Sequence, residues 1–211
     1  EAIIVDVFRQ KLDVPSLNFT FEGENKNLAH IKLLKFGEET KGEWQKTVRE
    51  IKKNKDLSGV ILDLRNNPGG FLQGAIDIAG EFLENGSVAV IEEKTDGRKE
   101  EFKVDRIGSF TKTPTVVLVN KGSASASEIL AAALRDIRGI RLVGETTFGK
   151  GTIQEPQELE GGAGLHITVA KWLTPSGLWV DQKGLEPDVK IEDTDSSPED
   201  EQLIEAIRLL Q

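Results

Sequence analysis

Leu57-Ser58-Gly59-Val60-Ile61-Leu62-Asp63-Leu64-Arg65-Asn66-Asn67-Pro68-Gly69-Gly70 is the stretch that decides the fold of this 211-residue chain. Apolar residues follow one another almost without a break from Leu57 to Leu64. A half-buried strand alternates, whereas a near-continuous apolar run of this length belongs to a strand covered on both faces. Asn66-Asn67-Pro68-Gly69-Gly70 must break it. A strand covered on both faces needs helices around it, and the neighbouring sequence supplies them. Thr40 to Asn54 carries Trp44, Val48 and Ile51 at helical spacing, and a helix is predicted from about Leu72 to Glu84. A second buried strand, Thr115–Asn120, leads into a helix over Ala124 to about Arg138, with Ile129, Leu130, Ala133 and Leu134 inward, and then a strand over Ile140–Val143. This alternation predicts an α/β fold with a largely parallel central sheet.

Outward from this centre the elements are shorter. Residues 1–9 alternate and read as a strand, Val14-Pro15-Ser16 as a linker, and Leu28 to Phe36 as another strand. Val88–Glu93 and Glu100–Val104 flank Thr95-Asp96-Gly97, a hairpin signal. Two longer strands, about Thr152–Leu159 and Leu165–Leu173, flank Glu160-Gly161-Gly162-Ala163-Gly164. The acidic stretch Glu192 to Asp200 reads as a solvated linker into a last amphipathic helix, Glu199–Leu210.

Composition narrows the function classes. The chain is 37% hydrophobic and 30% charged, ordinary for a globular protein, with a net charge of −9. That balance argues against a nucleic-acid partner, which needs clustered Lys and Arg; here basic and acidic residues interleave, as in Arg49-Glu50-Ile51-Lys52-Lys53. With no cysteine there is no thiol nucleophile, disulfide or cysteine metal site. No apolar run approaches the ~20 residues that cross a bilayer, and no signal peptide is visible. A chain that starts at Glu1 and holds no methionine is expected to be trimmed or processed. His30 and His166 each sit inside an alternating strand and are read as partly exposed strand residues. Nothing resembles a metal-ligand pair at helical spacing.

Two segments could carry chemistry. In Asn120-Lys121-Gly122-Ser123-Ala124-Ser125-Ala126-Ser127-Glu128-Ile129 a buried strand ends, a glycine permits a sharp turn and a helix begins. Any one serine there is read first as a helix cap. Three alternating small serines exceed what a cap requires, and the free amides of a helix start could hold an oxyanion. In Gly144-Glu145-Thr146-Thr147-Phe148-Gly149-Lys150-Gly151-Thr152-Ile153-Gln154, Lys150 lies between two glycines at the mouth of a strand. A surface lysine is the plain reading. A lysine acting as general base would have to be desolvated, and Ser–Lys is a known nucleophile–base pair.

These segments carry a resemblance. Leu62 to Gly70, Gly122 to Ile129, Gly144 to Gly151, Trp172-Leu173-Thr174-Pro175-Ser176-Gly177 and Gly184-Leu185-Glu186-Pro187-Asp188 occur in the order of the C-terminal processing peptidases, the tail-specific serine proteases, and the likeness covers roughly residues 12 to 211. The resemblance implies a ClpP/crotonase-like core with extra strands from both ends of the chain. It implies peptide-bond hydrolysis through an acyl-enzyme, with Ser125 as nucleophile, Lys150 as base, Gln154 orienting the lysine, and the amides of Gly70 and Ala126 as the oxyanion hole. Asp136 is expected to support structure. No metal or organic cofactor is implied, the partner is a polypeptide substrate, a homo-oligomer is left open, and the implied location is periplasmic, extracellular or lumenal. Family members usually carry a PDZ domain before the core. Residues 1–17 are expected to be its terminal strand and exit linker, and 18–211 the protease core. The rival readings are a catalytically silent peptide- or apolar-ligand-binding module on the same scaffold, and an acyl-CoA enzyme on the related crotonase scaffold, which would not need Lys150.

Overall fold

In the computed structural model, which describes residues 14–192 and 199–211, every residue of strands β3 (Gly59–Asp63) and β6 (Thr115–Val119) is buried. Both sit at the centre of a six-stranded sheet, ordered β1-β2-β3-β6-β7-β10. The remaining strands of that sheet are β1 (Leu17–Glu22), β2 (Leu28–Leu33), β7 (Arg141–Gly144) and β10 (Val189–Lys190). All neighbours run parallel except β1, which pairs antiparallel with β2.

The continuous apolar run is explained by its two destinations. Val60, Leu62 and Leu64 face a large core shared with α1 (Thr40–Ile51), α2 (Leu72–Phe82) and α3 (Ala126–Arg138). Ile61, with Val116, Leu118 and Val143, faces a smaller core closed by Ala206, Leu203 and Ile207 of α4 (Glu201–Leu210). Alternation is therefore intact inside the run; both sides are simply apolar. Among the described residues no helix is long and apolar enough to cross a membrane.

A second sheet was not assembled from the sequence. The two hairpins, β4 (Val88–Lys94) with β5 (Lys99–Lys103) and β8 (Thr152–Glu158) with β9 (Gly164–Leu173), join through β4 and β9 into four antiparallel strands, ordered β5-β4-β9-β8. β5 and β8 are its edges.

Local expectations shift in a few places. The strand expected over Leu28–Phe36 ends at Leu33, and Phe36 instead makes an isolated parallel bridge to Gly70. β1 was missed: its half-buried Phe19 and Phe21 alternate with exposed Asn18 and Thr20, a weak pattern in a short segment at the sheet edge. Its Leu17 is already part of the main core. The strand expected over residues 1–9 and most of the acidic linker, residues 193–198, lie outside the described residues.

One charged cluster ties β2 and the start of α4 to the end of β3. Asp63 is fully buried and accepts from Arg65 Nε at 3.0 Å and Nη2 at 2.7 Å, with His30 Nε2 at 3.1 Å. The same guanidinium reaches Asp200 at 2.8 Å through both terminal nitrogens, and Gln202 Oε1 at 3.1 Å. Asp200 also caps α4 by accepting from Leu203 N. Burial opposes the charge on Asp63, but the hydrogen bonds from His30 and Arg65 and the Arg65 charge outweigh it and hold the carboxyl at about 2. A carboxyl lowered in the folded state contributes stability above its unfolded value, and that contribution is lost as pH falls toward the folded value. Asp63→Ala leaves a buried guanidinium half-paired and is expected to cost about 3 kcal/mol, a drop in melting temperature on the order of 10 °C for a chain of this size. Thermal melts from pH 6 down to pH 2 check it: the wild-type chain loses this increment across the acid limb, and the variant lacks it throughout.

Candidate active site

The carboxyl ends of adjacent parallel strands are where an open α/β sheet offers a site. Here the turn after β3 and the loop after β6 meet there. Side chains lock them together. Asn66 N donates to Asn120 Oδ1 at 2.9 Å and Asn120 Nδ2 returns a bond to Asn66 Oδ1 at 3.0 Å. Ser123 Oγ donates to Leu64 O at 2.8 Å, and Ser127 Oγ to Asn67 O at 2.9 Å. Asn67, fully buried, bonds Leu33 O and the Gly69 amide.

Two glycines make the contact possible. At Gly69, φ 97°, an added Cβ would lie 2.7 Å from Ala124 O and 2.9 Å from Ser125 Cβ; at Gly70, φ 139°, it would lie 2.1 Å from Phe36 O. Only glycine allows the turn to press this closely on its neighbours.

Between the two flanking serines, Ser125 stands apart. It begins α3 with φ 55° and ψ −115°. A positive φ on a non-glycine residue that lies off the left-handed well costs of order 1–3 kcal/mol and persists only where surroundings enforce it. Such a sharp strand-to-helix turn is the geometry that exposes a nucleophile above a sheet. The amides of Ala126, the first residue of α3, and of Gly70 find no hydrogen-bond acceptor among the described residues. The hydroxyls of Ser123 and Ser127 are spent on the scaffold, whereas Ser125 forms a capping box with Glu128 at the start of α3 while lining the cleft.

The Lys150 segment is held by its backbone. Gly149 N donates to Glu128 Oε1 at 2.7 Å and Lys150 N to Glu128 Oε2 at 2.9 Å. On the other side, Trp172 Nε1 donates to Lys150 O at 2.8 Å and Trp179 Nε1 to Gly151 O at 3.0 Å. Asp181 accepts from Gly151 N at 3.0 Å. Among the described residues the Lys150 ammonium makes no hydrogen bond or ion pair, and the residue is exposed. The desolvation expected of a general-base lysine is thus not supplied by this chain's own packing: the cleft is open beside the edge strand β8.

The sequence reading passed over Glu128. It is completely buried, one turn into α3, and accepts from Ser125 N at 2.9 Å, Thr147 Oγ1 at 2.5 Å and the amides of Gly149 and Lys150. The Ser-x-x-Glu spacing of a capping box was a signal for half of this arrangement; the bonds to the loop across the site have no signature in sequence. Asp136 accepts from Ser176 N at 3.1 Å. Burial works against its charge, but hydrogen bonds from Ser176 and Thr174 and the nearby Arg135 keep its carboxyl low, in keeping with support of the Thr174–Gly177 turn.

A cleft of about 360 Å³ collects the expected residues: Gly70, Ser125, Ala126, Lys150 and Gln154 all line it. Ile129, Ile153 and Trp172 give it an apolar wall. No hydrogen bond joins Ser125 to Lys150, or Gln154 to Lys150, among the described residues. His30 lies elsewhere, on Asp63; His166 lines the cleft.

The family model described as peptidase family S41 matches residues 27–191. The carboxy-terminal processing protease CtpA of Bacillus subtilis is 41% identical over 188 residues, 89% of this chain and 40% of the relative. The chloroplastic carboxyl-terminal-processing peptidase 3 of Arabidopsis thaliana is 42% identical over 171 residues, 81% of this chain and 33% of the relative. The chain therefore spans about two fifths or less of these relatives' lengths. Among solved structures, the photosystem II D1 C-terminal processing protease superposes with a TM-score of 0.78 at 31% identity, covering 94% of this chain and 53% of that one. The α/β, ClpP/crotonase-like core anticipated from the sequence is the fold observed, and with matching sequence along most of its length the chain belongs to peptidase family S41.

Proposed function

We propose that this chain is the catalytic core of a serine endopeptidase that cuts polypeptides near their C-termini through an acyl-enzyme. The observation that carries this reading is the strained Ser125, φ 55° and ψ −115°, presented beside two unengaged amides in the cleft that also holds Lys150. Ser125 Oγ attacks the scissile carbonyl while Lys150, as the neutral amine, takes its proton. The amides of Gly70 and Ala126 receive the oxyanion. Lys150 then delivers the proton to the leaving amine, and water releases the acyl group by the same route reversed. Gln154 orients the lysine from the neighbouring position on β8. A substrate strand filling the cleft removes Lys150 from solvent, the condition under which an amine serves as base at neutral pH; catalytic hydrogen bonds are often loose before substrate arrives. The names of the relatives support the C-terminal preference, and the chloroplastic relative accords with action outside the cytosol, in a periplasmic, extracellular or lumenal space.

Cleavage of one unfolded polypeptide by a small set of variants tests these roles. Ser125→Ala is expected to lower the rate at least about a thousandfold. Ser123→Ala and Ser127→Ala lose a buried scaffold bond, about 1–2 kcal/mol of stability, yet retain cleavage. Lys150→Arg is expected to be as damaging as Lys150→Ala, because a guanidinium keeps its proton. Substantial activity in the Arg variant would falsify the general-base role.

Glu128 is assigned as a positioning residue, since it touches the main chain of both reacting residues and not the substrate. Glu128→Gln turns one acceptor oxygen into a donor facing other donors, so at least one buried bond fails. The expectation is a fall in kcat of roughly tenfold or more with KM within about twofold. A KM effect alone, with kcat intact, would remove Glu128 from the mechanism.

A further inference from the structure

The cleft has a second ionisable group that the mechanism does not use. Among the described residues its lining contains no Asp or Glu, and Lys150 and His166 are its only residues with ionisable side chains of acid or base type. In a chain with 36 acidic against 27 basic residues, an acid-free cleft is a selective environment. A concave site with one sign of charge concentrates ligands of the other sign.

His166 lies on β9, where the ribbon it forms with β8 extends past Gln154. In the register Gln154 pairs with Thr168 and, two residues on, Pro156 pairs with His166, beyond an irregularity between Ile153 and Gln154. Bulges of this kind re-aim side chains beside active sites. His166 is exposed and makes no hydrogen bond or ion pair among the described residues. The other imidazole, His30, is spent on Asp63 at 3.1 Å. The charged groups on β8 and β9 are Glu155, Glu158 and Lys171, with Lys150 just before β8; Lys171 pairs with Glu93 at 2.8 Å, and neither carboxylate of β8 pairs with His166 among the described residues.

We propose that His166 is a specificity-determining residue that, when protonated, binds a carboxylate of the bound polypeptide on the side of the cleft beyond Lys150 and Gln154. The carboxylate belongs either to the chain end or to an acidic side chain near it; the chemistry recognised is the same. Histidine gains its charge in the range where such a contact can be switched by modest acidification. A charge-assisted hydrogen bond in a partly desolvated cleft is worth on the order of tenfold in affinity. The proposal rests on the peptidase reading only for the presence of a polypeptide in the cleft.

Binding to the Ser125→Ala chain separates recognition from turnover. Fluorescently labelled peptides of one sequence, ending in a free carboxylate or an amide and carrying Glu or Gln next to the end, are titrated at pH 5.5 and pH 8. A carboxylate-bearing peptide is expected to bind on the order of tenfold more tightly than its neutral counterpart at pH 5.5, with the advantage shrinking at pH 8 and vanishing at both pH values in Ser125→Ala/His166→Gln. Which of the two carboxylates carries the advantage identifies its source. Equal binding of charged and neutral peptides, or an advantage that survives His166→Gln, overturns the proposal. If the advantage behaves as expected but the chain with Ser125 intact cleaves none of the peptides, the proposal stands and the peptidase reading falls.

Discussion

One buried carboxylate holds the two halves of the site together. Glu128 Oε2 accepts from both the Ser125 and the Lys150 amide, and Oε1 from Gly149 N and Thr147 Oγ1. A carboxylate with no solvent exposure persists only when its lone pairs are matched by donors. Here those donors come from the start of α3 and from the loop between β7 and β8, segments that would otherwise be free to drift apart. The desolvation of Glu128 thus enforces the juxtaposition of Ser125 and Lys150. The bonds its carboxylate makes to these two residues are to main chain, and leave the Lys150 ammonium free.

The remainder of the core positions this clamp. Parallel pairing of β3 with β6 brings their carboxyl ends side by side, and the Asn66–Asn120 and Ser123–Leu64 bonds fix the turns that follow. Gly69 lets the first turn press on Ser125, whose backbone strain is sustained by that contact and by the Glu128 bond. Arg65, one residue before the turn, carries the restraint through to α4 on the opposite face of the sheet. The C-terminal helix, far from Ser125 in sequence, is in this way part of the support of the turn after β3. Rigid main chain around free side chains is the arrangement that electrostatic and proximity catalysis require.

What the sequence revealed and concealed follows from the range of the forces involved. The central strands were legible because burial on both faces leaves an unbroken apolar run at Leu57–Leu64 and Thr115–Asn120. The segments that bring Ser125 and Lys150 to one cleft stood out as motifs at strand ends. β1 was not, because an edge strand covered on one side needs only Leu17, Phe19 and Phe21. The four-stranded sheet was not, because pairing between β4 and β9 joins residues some eighty positions apart with no turn to announce it. Lys150 is exposed, without the desolvation that a general-base lysine would need; desolvation depends on what fills space beside a side chain, which local spacing does not encode. Glu128 was visible as a helix-capping residue, but its bonds across the site arise only when α3 and the Gly149 loop meet. His166 read as a plain strand residue; its place in the cleft depends on how β9 pairs with β8 and how that ribbon sits beside α3, which no local pattern encodes.

The most direct test is to map where a serine-directed phosphonylating probe attaches. The geometry predicts one adduct, on Ser125, found by peptide mass spectrometry after digestion, with labelling sharply slowed in both Lys150→Ala and Lys150→Arg. An adduct on Ser123 or Ser127, or labelling of the Lys150 variants at the rate of the unaltered chain, would contradict the pairing of a strained serine with a lysine base.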